Sequence, residues 1–305
     1  ICYLIAQIIL NIYNFLKNLK LLIVTQYFWP ENFKINDFAV HFSNKGYDID
    51  VLTSVPNYPD GTFFEGYGIF KKRYEKYNGI SVYRVPVIPR GSANNIRLFL
   101  NYISYVISAS LKILQLNKRY DIIFIYEPSP VTVALPAILL KKIKKIPINF
   151  WVTDLWPESV VSAGNLKSSF IPKILNPIVK FIYSNCDKIL VTSEGFIESI
   201  VSKGINRKKI IFLPQWAESI FKPNKRIQNL SQLKIPGNAF KIMFAGNVGE
   251  SQDFPSLIKA AKILENFKIH WIIVGDGRRY EWLKEKIIEN NLKKVVHIVE
   301  RQPIE

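Results

Sequence analysis

Apolar runs of about five residues recur along the chain, each broken off by a loop of prolines, glycines, serines or acids and followed by a helical period. The runs are 21–25, 49–53, 121–126, 143–152, 188–192 and 209–213, and then 241–245, 269–274 and 295–299. Strands this apolar are buried on both faces, and their alternation with helices predicts a parallel sheet covered on both sides. After the first run, the loop Gln26-Tyr27-Phe28-Trp29-Pro30-Glu31-Asn32 leads into an amphipathic helix reaching about Asn44, where Gly46 supplies the stop. A longer helix is predicted from Ile96 to Leu116. Its polar residues Arg97, Asn101, Ser104, Ser108, Lys112 and Gln115 form a narrow stripe, which leaves a broad apolar surface. That surface is expected to be buried against the sheet; contact with a second apolar phase is the alternative.

The composition shifts between Lys222 and Ala239, where Pro223, Asn224, Pro236, Gly237 and Asn238 read as a linker. The expected organisation is an α/β domain over residues 19–221, a linker over 222–239 and a second α/β domain over 240–305. Because a half-built sheet is not a complete domain, the second one is expected to be truncated. Residues 1–18 are apolar but shorter than the roughly 20 residues that cross a bilayer, and Gln7, Asn11 and Asn14 interrupt them. They read as an interfacial segment or an appended leader; no basic region or small-residue cleavage site marks a signal peptide.

Ligands of open α/β sheets bind beyond the carboxyl ends of the strands, and the loops there hold the candidate chemistry. The run ending at Val152 turns at once into Thr153-Asp154-Leu155-Trp156-Pro157-Glu158, which sets two carboxylates at a strand end. The plainer reading makes Asp154 a helix cap and Glu158 a first-turn charge; the site reading is stronger for Asp154 alone. Glu31, Asn57, Tyr58, Glu127 and Ser193 stand in the corresponding loops after other strands. In the second domain, Phe244-Ala245-Gly246-Asn247-Val248-Gly249 and Gly275-Asp276-Gly277-Arg278 follow consecutive strands. Glycines there let backbone amides and a helix terminus approach an anion, although tight turns with positive φ would explain each loop separately. The first glycine of the chain is Gly46, and the second strand ends in Thr53-Ser54, so a dinucleotide site's glycine fingerprint and acidic residue are missing. Asp48-Ile49-Asp50 imitates a metal-holding Asp-x-Asp pair, but it lies at a strand start and reads as surface charge.

Composition narrows the partners. A chain of 305 residues, 49% hydrophobic and 13% aromatic, can bury a large core, which excludes disorder. Lysine and arginine outnumber aspartate and glutamate 41 to 24, a formal net charge of +17, which favours an anionic partner. No nucleic-acid module or aromatic-basic stacking pattern is present. The runs Lys71-Lys72-Arg73 and Lys141-Lys142-Ile143-Lys144-Lys145 could hold anionic lipid at about 1 kcal/mol per basic residue, or be solvated faces. Two cysteines, Cys2 and Cys186, suit a reducing compartment, and His41, His270 and His297 have no metal-ligand spacing.

Together, Gln26-Tyr27-Phe28-Trp29-Pro30-Glu31, Pro56-Asn57-Tyr58-Pro59-Asp60-Gly61, Asp154-Leu155-Trp156-Pro157-Glu158 and Gly246-Asn247-Val248-Gly249 carry a resemblance. Over residues 19–305 the chain resembles family 4 glycosyltransferases of the GT-B fold, retaining enzymes with two facing Rossmann-like doubly wound domains. It is most similar to the sub-group that builds microbial surface polysaccharides (O-antigen, capsule or exopolysaccharide), which includes N-acetylfucosamine transferases. The resemblance implies a nucleotide-sugar donor, a uridine diphosphate (UDP) sugar, held by the second domain at Gly246, Asn247, Gly249, Gln252, Gly275, Asp276, Gly277 and Arg278. It implies a lipid-linked or saccharide acceptor at the first domain, near Glu31, Asn36, Asn57, Tyr58, Glu127, Glu158 and Ser193, with Asp154 as the catalytic carboxylate. No metal and no other cofactor is implied. The place of work would be the cytoplasmic face of the cell membrane, as a peripheral protein.

The sequence also departs from that family. Phe33-Lys34-Ile35-Asn36 replaces a glycine pair, which leaves Lys34 or Asn36 to serve the donor phosphate, and Thr153 replaces a histidine. Asn247 and Gln252 stand where an arginine and a lysine commonly meet the diphosphate. The family's Glu-x7-Glu segment, which contacts the donor sugar and ribose, is expected beyond Glu305, so the chain alone is expected to be inactive. The non-enzyme alternative is a membrane- or partner-binding half of a split transferase. A nucleotide-sugar epimerase or dehydrogenase is a second enzymatic alternative.

Overall fold

The computed structural model describes residues 19–91, 95–164, 170–217 and 235–302. The apolar segment 1–18 and most of the expected linker lie outside the described residues. Two compact units are present: described residues up to Pro157 and those between 169 and 215 form the first, and those between 158 and 168 and from Trp216 onward form the second.

In the first unit, β1 (Lys20–Val24), β2 (Asp48–Ser54), β3 (Tyr74–Tyr77), β4 (Ile80–Val85), β5 (Ile122–Glu127), β6 (Ile148–Val152), β7 (Lys188–Val191) and β8 (Ile210–Phe212) form one sheet. Their order is β3-β4-β2-β1-β5-β6-β7-β8. All neighbours are parallel except β3, which runs against β4. The chain moves one way from β1 to β2 and the other way from β4 to β5. Right-handed crossovers therefore place the helices on opposite faces and open a crevice at the strand ends near β1 and β5. Helix α1 (Lys34–Asn44) buries Ile35 and Ala39 against Leu21, Ile23, Ile49, Val51 and Trp151. On the other face, α2 (Asn95–Leu114) packs on α3 (Leu135–Lys144). Beyond α4 (Glu158–Gly164), a member of the second unit, α5 (Phe170–Asn185) packs on α3 in turn, and α6 (Gly195–Ser202) leads to β8.

The second unit has a parallel sheet of β9 (Phe240–Ala245), β10 (Ile269–Val274) and β11 (Val296–Val299), with β10 in the middle. Helices α7 (Phe254–Ile263) and α8 (Tyr280–Glu289) cover it, through a core that includes Phe254, Ile258, Ile273, Leu283 and Ile287.

Four local expectations are corrected. The apolar run from 143 to 152 is not one strand: Ile143 belongs to the last turn of α3 and only Ile148–Val152 is extended. The β3–β4 hairpin lies between the run 49–53 and the helix from Ile96, where no strand is expected from the sequence. Asp50 is fully buried, where its carboxylate accepts from Tyr120 Oη at 2.7 Å and from Lys118 Nζ at 2.9 Å. Asp48, at the exposed start of β2, does carry surface charge and pairs with Lys20 at 2.6 Å.

The fourth correction inverts α2. Its buried residues are Asn101, Tyr105, Ala109 and Ile113, while Ile96, Phe99, Ile103, Ile107 and Leu111 are exposed. The segment leaving β4 explains why. Its backbone groups have no strand partner and need polar ones. Asn101 Nδ2 donates to the Ile88 carbonyl at 2.6 Å, Ser108 Oγ donates to the Pro86 carbonyl at 2.7 Å, and Ser104 Oγ accepts from the Ile88 N–H at 2.9 Å. Asn101, Ser104 and Ser108 of the polar stripe therefore face the protein, while Arg97 and Gln115 at its ends stay exposed.

Candidate functional site

The first two strand-end loops are tied together by one carboxylate. Glu31, in the loop after β1, accepts from the N–H groups of Asn57 at 2.9 Å and Tyr58 at 2.8 Å in the loop after β2, and from Phe28 at 3.3 Å. Burial pushes its pKa up to about 7, against the pull of those three donors and of Arg84. Asn36 braces the same loop, accepting from the Trp29 N–H at 3.0 Å and donating to the Glu31 carbonyl at 2.7 Å. Asn57 is fully buried: its Nδ2 donates to the Val55 carbonyl, and its Oδ1 accepts from the Arg90 N–H and from Asn101. Glu31, Asn36 and Asn57 thus shape the wall of the crevice from within. Tyr58 is partly exposed, with its ring 5.3 Å from that of Phe33 and the Arg90 guanidinium 5.1 Å from its centre.

The ends of β5 and β6 bring two acids together. Glu127 is fully buried and its carboxyl oxygens have no hydrogen-bond partner. Burial raises its pKa well above the carboxylate range, and the charge of Asp154 pushes the same way. The Asp154 backbone N–H opposes this weakly from outside hydrogen-bond geometry. Asp154 itself is half-buried. Because α4 begins at Glu158, Asp154 is too far ahead of the helix to cap it. Glu158 is exposed and is that helix's first-turn acid, in the second unit. Ser193 is exposed after β7, where its carbonyl accepts from the Phe196 N–H as α6 begins.

Tyr102 was not singled out in the sequence. It projects from α2 to the same place: burial raises the phenol's pKa, Arg90 opposes that, Ser129 is its hydrogen-bond partner, and the charges of Asp154 and Glu127 act on it. Ser129 Oγ also accepts from Trp156 Nε1 at 3.3 Å. Only three-dimensional placement reveals Tyr102, since in sequence it is one aromatic among many in an apolar helix. A half-buried carboxylate beside a neutral acid and a phenol can hold a hydroxyl group, or face positive charge developing on a sugar ring.

In the second unit the two glycine loops lie against each other. A Cβ on Gly275 would stand 2.0 Å from the Gly246 carbonyl oxygen, and one on Gly277 would stand 2.4 Å from that of Val248. Their amides bond within the unit: Gly246 N–H to Val274, Val248 N–H to Asp276, Gly249 N–H to Gln252 Oε1 and Gly277 N–H to Asp276 Oδ1. These glycines therefore permit close backbone packing, and Asn247, Gln252, Asp276 and Arg278 are the exposed polar side chains around them. Among the described residues, no group of three His, Cys, Asp or Glu side chains could hold a metal ion.

Residues 34–216 match the model of the glycosyl transferase 4-like domain family. WcaI of Escherichia coli (strain K12), named as a colanic acid biosynthesis glycosyl transferase, is 24% identical over 247 residues, covering 76% of this chain and 59% of that protein. WbjE of Pseudomonas aeruginosa, named as a glycosyltransferase, is 26% identical over 211 residues, covering 66% and 51% respectively. The chain thus spans little more than half the length of these curated relatives. The crystal structure of Anabaena HepE in complex with UDP and glucose superposes with a TM-score of 0.60 at 13% identity, over 94% of this chain and 70% of that one. This likeness shows the fold, a GT-B type with Rossmann-like units.

Proposed function

The chain belongs to the glycosyl transferase 4-like domain family, and we propose that it serves a retaining glycosyltransferase of surface-polysaccharide biosynthesis. The donor in this reading is a nucleotide sugar, a UDP sugar, placed against the Gly246–Gly249 and Gly275–Arg278 loop pair. HepE, solved with UDP, supports the donor class. WcaI, named for colanic acid biosynthesis, supports the polysaccharide setting. The acceptor is a saccharide or lipid-linked saccharide held at the strand ends of the first unit, at the inner face of the cell membrane.

The observation that carries the reading is the acid pair at the ends of β5 and β6. Burial favours the protonated form of Glu127, which can donate a hydrogen bond where a carboxylate cannot. Asp154, half-buried after the end of β6, then orients the acceptor hydroxyl or offsets the positive charge of an oxocarbenium-like transition state. The departing diphosphate meets Arg278.

The test is calorimetric titration with UDP sugars and a transfer assay, both on the full-length protein. Asp154→Asn is expected to leave donor affinity within about twofold while lowering turnover on the order of 10² to 10³. Full turnover in Asp154→Asn would end the catalytic assignment, and a wild-type protein indifferent to every UDP sugar would end the donor assignment.

A further inference from the structure

We infer that the outer surface formed by α2, α3 and α5 docks on an anionic lipid bilayer, with α2 lying in the headgroup region along the membrane plane. The outward residues Ile96, Phe99, Ile103, Ile107, Leu111 and Leu114 recur every three or four positions, so they form one stripe along the helix. Ile96 is 73%, Phe99 62% and Leu111 61% exposed. At 1.5 Å per residue, the 20-residue helix displays this stripe over about 30 Å. The neighbouring helices also expose apolar side chains, Ile143 on α3 and Ile174, Ile178 and Phe181 on α5. Contiguous apolar surface of this extent marks an interaction site rather than ordinary solvent-facing surface.

Charge identifies the occupant. Helices α2, α3 and α5 contain seven lysines and arginines and not one aspartate or glutamate. Lys141 is paired with Asp187, which lies just beyond α5. Lys142 Nζ lies 5.4 Å from the centre of the Phe181 ring, so cation and apolar surface alternate across the boundary between α3 and α5. A row of aliphatic side chains bordered by cations matches the boundary between acyl chains and anionic headgroups. Asn101, Ser104 and Ser108 bind the segment after β4, which holds α2 to the protein and makes it a surface helix rather than a span. Among the described residues, no helix is long and apolar enough to cross a membrane. The lipid contact stands on this surface alone; its purpose, bringing a lipid-linked acceptor to the crevice, rests on the glycosyl-transfer reading.

Co-sedimentation tests it, using the full-length protein without sugar nucleotide. One set of vesicles is phosphatidylcholine alone, and the other adds phosphatidylglycerol. The protein is expected to sediment with the anionic vesicles at low salt. Binding is expected to fall at least about tenfold in Ile107→Glu/Leu111→Glu and about fivefold in Lys142→Gln/Lys180→Gln or at high salt. The substituted side chains are exposed, and an unchanged circular dichroism spectrum verifies the fold. A wild-type protein that sediments with neither vesicle overturns the inference, as does binding that salt and both variants leave unchanged. A dimer dissolved by Ile107→Glu/Leu111→Glu, without vesicle binding, would assign the face to a second copy and overturn it too. Transfer to a soluble acceptor, assayed in parallel, reports on the glycosyl-transfer reading separately.

Discussion

The strand-end loops of the two units occupy equivalent places in parallel sheets and are built in opposite ways. In the first unit, side chains hold the loops: Glu31 joins two of them, and Asn36 and Asn57 bond to backbone on either side. In the second unit, backbone holds backbone, and glycine is required because the Gly246 carbonyl fills the place of a Gly275 Cβ. A loop held by a buried carboxylate responds to protons and tolerates side chains nearby. A loop held by amides and carbonyls is indifferent to protons and tolerates no side chain at the contact.

Substitutions can break this contrast. The largest effect is expected from Gly275→Ala, which sets a methyl group against backbone at a φ of +139°. We expect a loss of about 4 kcal/mol, read by urea unfolding of the second unit through Trp271 and Trp282 fluorescence. A loss under about 1 kcal/mol would show that the loops are not locked by close approach. Next is Glu31. Its raised pKa means that the folded state keeps a proton the unfolded chain releases. Stability is therefore full below the unfolded value of 4.5 and falls as pH rises to about 7. The wild type should lose about 3 kcal/mol more than Glu31→Gln across that window, with urea midpoints measured at each pH. Glu127 adds a slope of the same sign to both proteins, so the difference isolates Glu31. Asn36→Ala removes two hydrogen bonds and is expected to cost about 1–2 kcal/mol, without pH dependence. Ser193→Ala, at an exposed position, should shift stability by less than about 0.5 kcal/mol. Equal effects at Asn36 and Ser193 would mean that the first unit's loops do not depend on their side chains.

The parallel strands were legible because each is an apolar run buried on both faces. The start of β6 was misread because Ile143 and Ile146 were joined to the strand across Lys144 and Lys145, the pair that ends α3, and so few apolar residues cannot separate helix from strand by periodicity. The β3–β4 hairpin carries a signal, Asn78-Gly79, which is a strong two-residue turn sequence, but the strand Tyr74-Glu75-Lys76-Tyr77 is too polar to read as part of a core. The stripe on α2 was visible, but not its direction, since that depends on carbonyls at Pro86 and Ile88 that the helix meets only after folding. The carboxylate of Glu31 is likewise readable as a loop acid, while its partners at Asn57 and Tyr58 come from a different crossover. The glycines at 246 and 275 were found by position, but their role depends on a backbone-to-backbone distance that no spacing reveals.

Helix α2 has a mechanical consequence. On one side Asn101 is bonded to Gln26 and Ile88, and Tyr105 Oη to the Thr25 carbonyl, so the helix is fastened to the loop that ends β1. Tyr102 and Ile103 are adjacent residues, yet the first lies within the electrostatic reach of the acid pair and the second faces outward. The helix is therefore a stiff lever. A load on its outer surface acts on the phenol beside Asp154 through a rigid element, with no hinge between Tyr102 and Ile103 to absorb it.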